Sequence, residues 1–356
     1  MIGIVTPINR SEVSAAAFTL ADFLSSRGIS VVILSPDQEI VEDSHPVWSR
    51  RVERARLSSF AKLSRRFEKI IWFNPQRQLV RKVKSGTENI LVFRRTGFCN
   101  GDLRFYHRYF SKILYNCSLV RDFLLTQARF ELGTELPNFC DKLHYVSWES
   151  GLENKLKQCQ DSYIPSRYVF FCGKSSIDLY GVNVLQIIHW LLLNEDSCEV
   201  KLVAMKSWNK RDRKLIAELR EEFNSFTAVD CSDIYDQCQV FSDADWCIFP
   251  DTKIDYGIFL LRALSCGTPV IAHRDGLVSE IVRHERNGLL VESLPYPGLN
   301  SLNHVVLMNV SGLKEIIRMS RSSFLYKKLV TGDFRIGRSF DQMNKNWSRV
   351  LDLGES

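Results

Sequence analysis

The stretch Ala244-Asp245-Trp246-Cys247-Ile248-Phe249-Pro250, followed by Tyr256-Gly257-Ile258-Phe259-Leu260-Leu261-Arg262-Ala263-Leu264-Ser265-Cys266-Gly267-Thr268-Pro269-Val270-Ile271-Ala272, decides the fold of this chain. Trp246 to Phe249 reads as a buried strand, Ile258 to Cys266 as a helix, and Val270 to Ala272 as the next strand, with Gly267-Thr268-Pro269 as the turn between them. At Tyr256-Gly257 a loop enters the helix, so backbone N–H groups and the positive end of the helix dipole face outward. A diphosphate would bind at such a place, and Gly257 would let the backbone approach it closely. Leu260, Leu261 and Leu264 have the spacing to pack the helix on its sheet.

Outward from this stretch, the same strand and helix alternation recurs on both sides. Strand Tyr168 to Cys172, helix Val182 to Leu193, strand Val200 to Ala204 and helix Arg213 to Phe223 precede it. Near the start, Gly3 to Thr6 is a strand, Ser11 to Arg27 a helix closed by Gly28, and Val31 to Leu34 a second strand. Strand, helix and strand with short links make a right-handed βαβ unit and a parallel, doubly wound sheet. Further strands are expected at Lys69 to Phe73, Asn89 to Phe93, Ile113 to Cys117 and Leu143 to Val146. The polar stretch Glu149 to Ser166 is the linker candidate. Residues 1–160 then form one Rossmann-like domain, 161–335 a second, and the amphipathic segment from Ile336 a terminal helix that returns to the first. Two α/β domains facing a cleft suit a chain of 356 residues, too long for one ordinary core.

Hydrophobic residues make up 45% and charged residues 25%, values of a globular protein, and no apolar run approaches the roughly 18 residues of a membrane span. The start Met-Ile-Gly-Ile-Val-Thr-Pro lacks a signal-peptide pattern, so the cytoplasm is the expected compartment. The ten cysteines are scattered, form no Cys-x-x-Cys pair and offer no metal site, so they are expected as buried thiols. Charge is uneven. From Pro46 to Lys112 there are 17 Lys or Arg and four acids, although the whole chain is only +6. Such a block points to an anionic partner, or is a solvated face.

The quoted stretch, with Gly276 to Glu280 and Asn287-Gly288-Leu289-Leu290-Val291, resembles the group 1 glycosyltransferases. Fainter echoes are Phe171-Cys172-Gly173-Lys174 and Tyr180-Gly181. The resemblance implies the GT-B fold and transfer of a sugar from a nucleotide sugar, UDP-linked before GDP-linked, with retention, without metal and with no further cofactor. It places the donor at Lys174, Tyr180, Tyr256, Gly257, Ile258 and Arg262, with Ser14 in the first domain's turn from Pro7. Lys174 keeps the charge the family carries there, whereas Tyr180 stands in place of a Lys. The family's paired glutamates fall on Ile254 and Arg262, so neither carboxylate is present. Asp255 is then expected to substitute for the first glutamate and Arg262 to contact phosphate, or the donor site is weakened. His107 corresponds to a family histidine near the transferred sugar, or is an ordinary surface histidine.

The family holds its acceptor on the first domain, where the basic block lies. Arg50, Arg51, Arg94 and Arg95 are acceptor-binding candidates, and a hydroxylated base in DNA is the acceptor they suggest, with Trp48, Phe60, Phe67, Trp72, Phe98, Phe105, Tyr106 and Tyr109 interleaved for stacking. A membrane surface with a lipid-linked acceptor is the alternative. Leu57, Phe60, Leu63 and Phe67 would form one apolar face of a basic helix there, or else face the core. A non-catalytic binding or scaffold subunit is the third reading, and the oligomeric state stays open.

Overall fold

The computed structural model describes the chain apart from residues 8–11, 37–51, 55, 57, 74, 94–101, 149–156, 158–159, 161, 173–177, 180–181, 196, 205–207, 209, 231–233, 251–253, 255, 275, 293, 296–305, 308, 332–339 and 354–356. It divides into two units, Met1–Gly151 with Arg338–Ser356, and Leu152–Gly337.

The first unit holds seven parallel strands: β1 (Ile2–Val5), β2 (Val31–Ser35), β3 (Val52–Arg54), β4 (Lys69–Trp72), β5 (Glu88–Val92), β6 (Lys112–Tyr115) and β7 (Leu143–Tyr145). Their order is β3-β2-β1-β4-β5-β6-β7, with Ile4 opposite both Ile33 and Ile71. β3 escaped the sequence reading because it is a polar edge strand of Val, Glu and Arg with no apolar run. Ile4, Ile33, Ile70, Ile71 and Ile90 are fully buried, as expected for a sheet covered on both faces.

The supposed surface helix around Phe60 spans only Phe60–Ser64. Phe60 and Phe67 are buried, and the Phe60 ring lies 5.7 Å from Trp72, so these two side chains belong to the core. Leu63 is half-buried and Leu57 lies outside the described residues. Of the interleaved aromatics, Trp72 and Phe105 are likewise buried, Tyr106 and Tyr109 half-buried, and Trp48 and Phe98 lie outside the described residues.

The terminal helix Phe340–Leu351 packs within the first unit. Trp347 is fully buried, stands edge-on to Trp148 at 5.4 Å, and its Nε1 donates to the Ser147 carbonyl at 3.3 Å. Beyond the helix, Asp352 accepts from Lys69 and Lys112, both at 2.9 Å, and these ammonium groups hold its carboxyl down to about 2.

The second unit holds β8 (Arg167–Cys172), the hairpin β9 (Asp178–Leu179) and β10 (Val182–Asn183), then β11 (Glu199–Ala204), β12 (Phe226–Asp230), β13 (Trp246–Phe249), β14 (Val270–His273) and β15 (Gly288–Val291), with β16 (Leu294–Pro295) pairing β17 (Val306–Leu307). Six of them form a parallel sheet in the order β12-β11-β8-β13-β14-β15. The aspartate of Ala244-Asp245 ties this unit together. Buried at the start of β13, it accepts from Ser166 N at 2.9 Å, Arg167 N at 3.0 Å, Tyr163 Oη at 2.7 Å and Arg167 Nη2 at 2.9 Å. Burial alone would raise its pKa, but these donors hold it below the ordinary carboxylate range.

Candidate donor site

In the second sheet, β8 leads through β11 to β12 on one side, while β13 leads through β14 to β15 on the other. β8 and β13 are neighbours, so the segments leaving their C-terminal ends turn opposite ways, which makes the ligand crevice of an open α/β sheet. β8 ends at Cys172 and β13 at Phe249, both at the C-terminal edge of the sheet, and Tyr256, Gly257 and Ile258 follow β13.

Gly257 opens the helix Ile258–Ser265 in a left-handed conformation, φ 72° and ψ 16°. The positive φ asks for glycine, and a β-carbon there would also stand 2.4 Å from Ile281 Cδ1, which would have to move aside. The cap carries no side chain, and the helix's positive end follows the C-terminal edge of β13. Tyr256 and Ile258 are fully buried and support this start from beneath. The helix closes at Gly267, φ 75°, where Gly267 N donates to Leu264 O and Thr268 N to Ala263 O. Thr268 Oγ1 then donates to Phe241 O at 2.5 Å, and Cys247 N to Pro269 O at 3.1 Å, which ties the turn to its neighbours.

Arg262 lies one turn into this helix, 4% exposed, with Cζ 5.7 Å from the Phe259 ring. Ile254 is half-buried. Lys174, Tyr180, Asp255, Arg50, Arg51, Arg94 and Arg95 lie outside the described residues. In the first unit, Ser14 is buried and its Oγ donates to Pro7 O at 2.6 Å, so the hydroxyl shapes the turn after β1 instead of facing outward.

His107 is placed at the other end of the first sheet from that turn. Its helix, Asp102–Tyr109, runs into β6, and Lys142, just before β7, donates from Nζ to the His107 carbonyl at 2.5 Å. His107 therefore sits at the N-terminal edge, while the Ser14 turn follows the C-terminal end of β1. A four-residue strand separates such edges by about 13 Å, so His107 does not join the turn it was expected to accompany. It lines a surface pocket with Arg104, Arg108, Glu131, Leu132 and Glu135, and burial followed by Lys142 lowers its pKa.

The sequence reading passed over His273, which ends β14 at the same edge as Gly257. It is 1% exposed, and its Nε2 accepts from Asn309 N at 3.2 Å, which puts the neutral ring's proton on Nδ1. Burial lowers its pKa to about 4. The only sequence signal was a histidine closing an otherwise apolar strand. Because the unfolded ring titrates near 6.5, the unfolded chain gains a proton before the folded one does as pH falls. Stability present above about pH 6.5 is then lost towards pH 4, by about 3 kcal/mol at the end of that window. Guanidinium unfolding at neutral pH and near pH 4 checks this: His273→Asn should flatten the pH dependence, and a variant that keeps it whole would refute the assignment.

Comparison with known proteins agrees with this geometry. The model of the family described as glycosyl transferases group 1 matches residues 167–295. A 52-residue stretch is 42% identical to the D-inositol 3-phosphate glycosyltransferase of Pseudarthrobacter chlorophenolicus, covering 15% of this chain and 12% of that protein. Among solved structures, Anabaena HepE in complex with UDP and glucose is similar over 99% of both chains, with a TM-score of 0.65 and 12% identity. Sucrose-phosphate synthase from Thermosynechococcus elongatus is similar over 99% of both chains, with a TM-score of 0.66 and 12% identity. Residues 167–295 of this chain are thus a group 1 glycosyl transferase domain, and the chain that carries it has the GT-B fold.

Proposed function

We propose that this chain transfers a glycosyl group from a nucleotide sugar, UDP-linked before GDP-linked, to an acceptor hydroxyl, with retention and without metal. The observation that carries the reading is the helix start at Gly257, set at the strand crossover of the second sheet. Breaking a sugar–phosphate bond builds charge on the departing diphosphate, and preoriented N–H dipoles stabilise that charge at little reorganisation cost. Lys174 would add the cation. Two structural neighbours hold UDP with glucose, or UDP-glucose, which favours a uridine donor. Arg262 stands where the related enzymes carry a carboxylate, and a cation there suits a phosphate oxygen. For the acceptor we propose an anionic polymer, DNA with a hydroxylated base being the form that the basic first domain favours; a lipid-linked acceptor is the alternative.

A second reading, a binding subunit without catalysis, is favoured by Ile254 and Arg262 at the two glutamate positions. One experiment separates them. UDP or GDP release is measured across a panel of nucleotide sugars, alongside thermal shift with the free nucleotides. Transfer predicts release from at least one donor and its loss in Lys174→Ala. Binding of a nucleotide with no release from any sugar donor would leave the binding subunit standing.

A further inference from the structure

The cations of the first unit gather on one flank. Lys84 N donates to Ser64 Oγ at 3.2 Å, which lays the segment 81–84 beside the helix Phe60–Ser64 and Arg65. The Arg77 and Arg81 guanidinium carbons stand 5.3 and 6.0 Å from the ring of Phe105, which lays the same segment beside the helix Asp102–Tyr109. Arg65, Arg81, Lys82, Lys84, Arg104 and Arg108 are all exposed along this run. Among the described residues no carboxylate pairs with Arg65, Arg81, Lys82 or Lys84; Asp102 is taken by Arg77, and Glu53 by Arg66. Glu131 and Glu135 lie at the far end, beside Arg104 and His107, and the exposed Glu68 pairs with the terminal amine of Met1 at 3.6 Å.

We infer that this flank docks the phosphodiester backbone of a nucleic acid. Phe60, Phe67, Leu79, Val80 and Phe105 are buried and Leu63 and Val83 half-buried, so the flank has no exposed apolar face to insert between lipid chains. Among the described residues the large exposed apolar side chains of this unit are Met1, whose amine pairs with Glu68, and Phe130, next to Glu131: two single residues on different elements, not one apolar face. Regularly spaced phosphates suit a row of exposed cations in which Arg65, Arg81, Lys82 and Lys84 have no ion-pair partner among the described residues, and the Arg81 guanidinium beside the Phe105 ring is placed for bidentate contact. The segment 81–87 runs down to the start of β5, away from the C-terminal edge that carries the Ser14 turn. The flank therefore anchors a polymer and does not hold the reacting hydroxyl.

The inference deepens the acceptor reading and rests on it, but is tested apart from transfer. A fluorescent, unmodified DNA duplex of about 20 base pairs is titrated at several salt concentrations, from about 50 mM upward, with wild type and with Arg81→Gln/Lys82→Gln/Lys84→Gln. Wild type should bind with log K falling linearly in log salt. The triple variant should bind about tenfold or more weakly, with a slope smaller by about 3, while its thermal unfolding and nucleotide shift stay those of wild type. No binding at about 50 mM salt, or an unchanged slope in the variant, overturns the inference. So does co-sedimentation with phosphatidylcholine–phosphatidylserine vesicles that the triple variant abolishes and duplex DNA does not compete. Failure of nucleotide release would leave this result untouched, and failure here would leave the donor reading standing.

Discussion

Trp347→Ala is expected to lower the stability of the first domain by about 3–5 kcal/mol, the range for emptying the site of a fully buried tryptophan. Three losses coincide. The indole leaves a cavity under the terminal helix, the edge-on contact with Trp148 at 5.4 Å disappears, and the Ser147 carbonyl loses the donor at 3.3 Å. Met343, Val350 and Leu351 remain buried, but they are smaller than the indole, and the other ties are polar. Arg27 donates to Ser348 Oγ at 2.7 Å, and Lys69 and Lys112 pair with Asp352 at 2.9 Å. Asp352 is two-thirds exposed, so its ion pairs are screened and cannot offset a lost core residue. In chemical denaturation the first domain's midpoint should fall while the second domain's stays fixed, and a Phe at position 347 should recover part of the loss. A change below about 1 kcal/mol would mean that the helix does not depend on this anchor.

Gly288→Ala should disable the second domain more severely than a glycine at an ordinary strand position would suggest. A β-carbon at Gly288 would lie 2.4 Å from the Val270 carbonyl oxygen and 2.9 Å from both Val270 Cγ2 and Val282 Cγ1. The carbonyl belongs to β14, directly opposite Gly288 in the parallel register, so it cannot swing aside as a side chain would. Relief requires β15 to move off β14, with a loss of roughly 3 kcal/mol or more. Asn287 adds to the constraint, because its side chain accepts from Arg283 N at 2.8 Å and donates to Ile281 O at 3.1 Å, fixing the turn that delivers Gly288. The measurement is soluble yield and unfolding midpoint of the second domain. A variant that folds with wild-type stability would show that the two strands separate without cost.

Asn287-Gly288, Gly267-Thr268-Pro269 and Gly257 could be picked out by reading because their roles are local. A left-handed residue, a helix stop or a tight approach leaves glycine as the residue that fits, and the spacing between such residues sets the strand and helix lengths. The alternation of apolar runs and amphipathic segments likewise fixed two parallel sheets, since period and run length report burial directly. The domain boundaries expected at 160/161 and 335/336 differ from the divisions of the structure, between Gly151 and Leu152 and between Gly337 and Arg338.

His107 and Ser14 show the limit. Ser14 lies at the expected edge but its hydroxyl is turned to the Pro7 carbonyl, while His107 lies at the opposite edge, because which end of a sheet a side chain occupies depends on where its helix begins and ends relative to the strands. That is a property of the folded sheet, not of the local pattern. His273 is the converse case: a single histidine after three apolar residues carries no periodic signal, and only its burial beside Asn309 gives it a role. The basic block was visible as composition, but composition does not say which cations meet. Pairing Lys84 with Ser64, and Arg81 with Phe105, gathers residues from three segments onto one flank, and burial of Phe60, Phe67 and Phe105 removes the apolar face that a membrane would need. The sequence alone therefore determined the fold and the glycine-marked turns from which the proposed donor site is read, because backbone constraints and hydrophobic period are written residue by residue. Only the tertiary structure decided which side chains share an edge or a flank, because such neighbours are brought together by strand order across long separations in the chain.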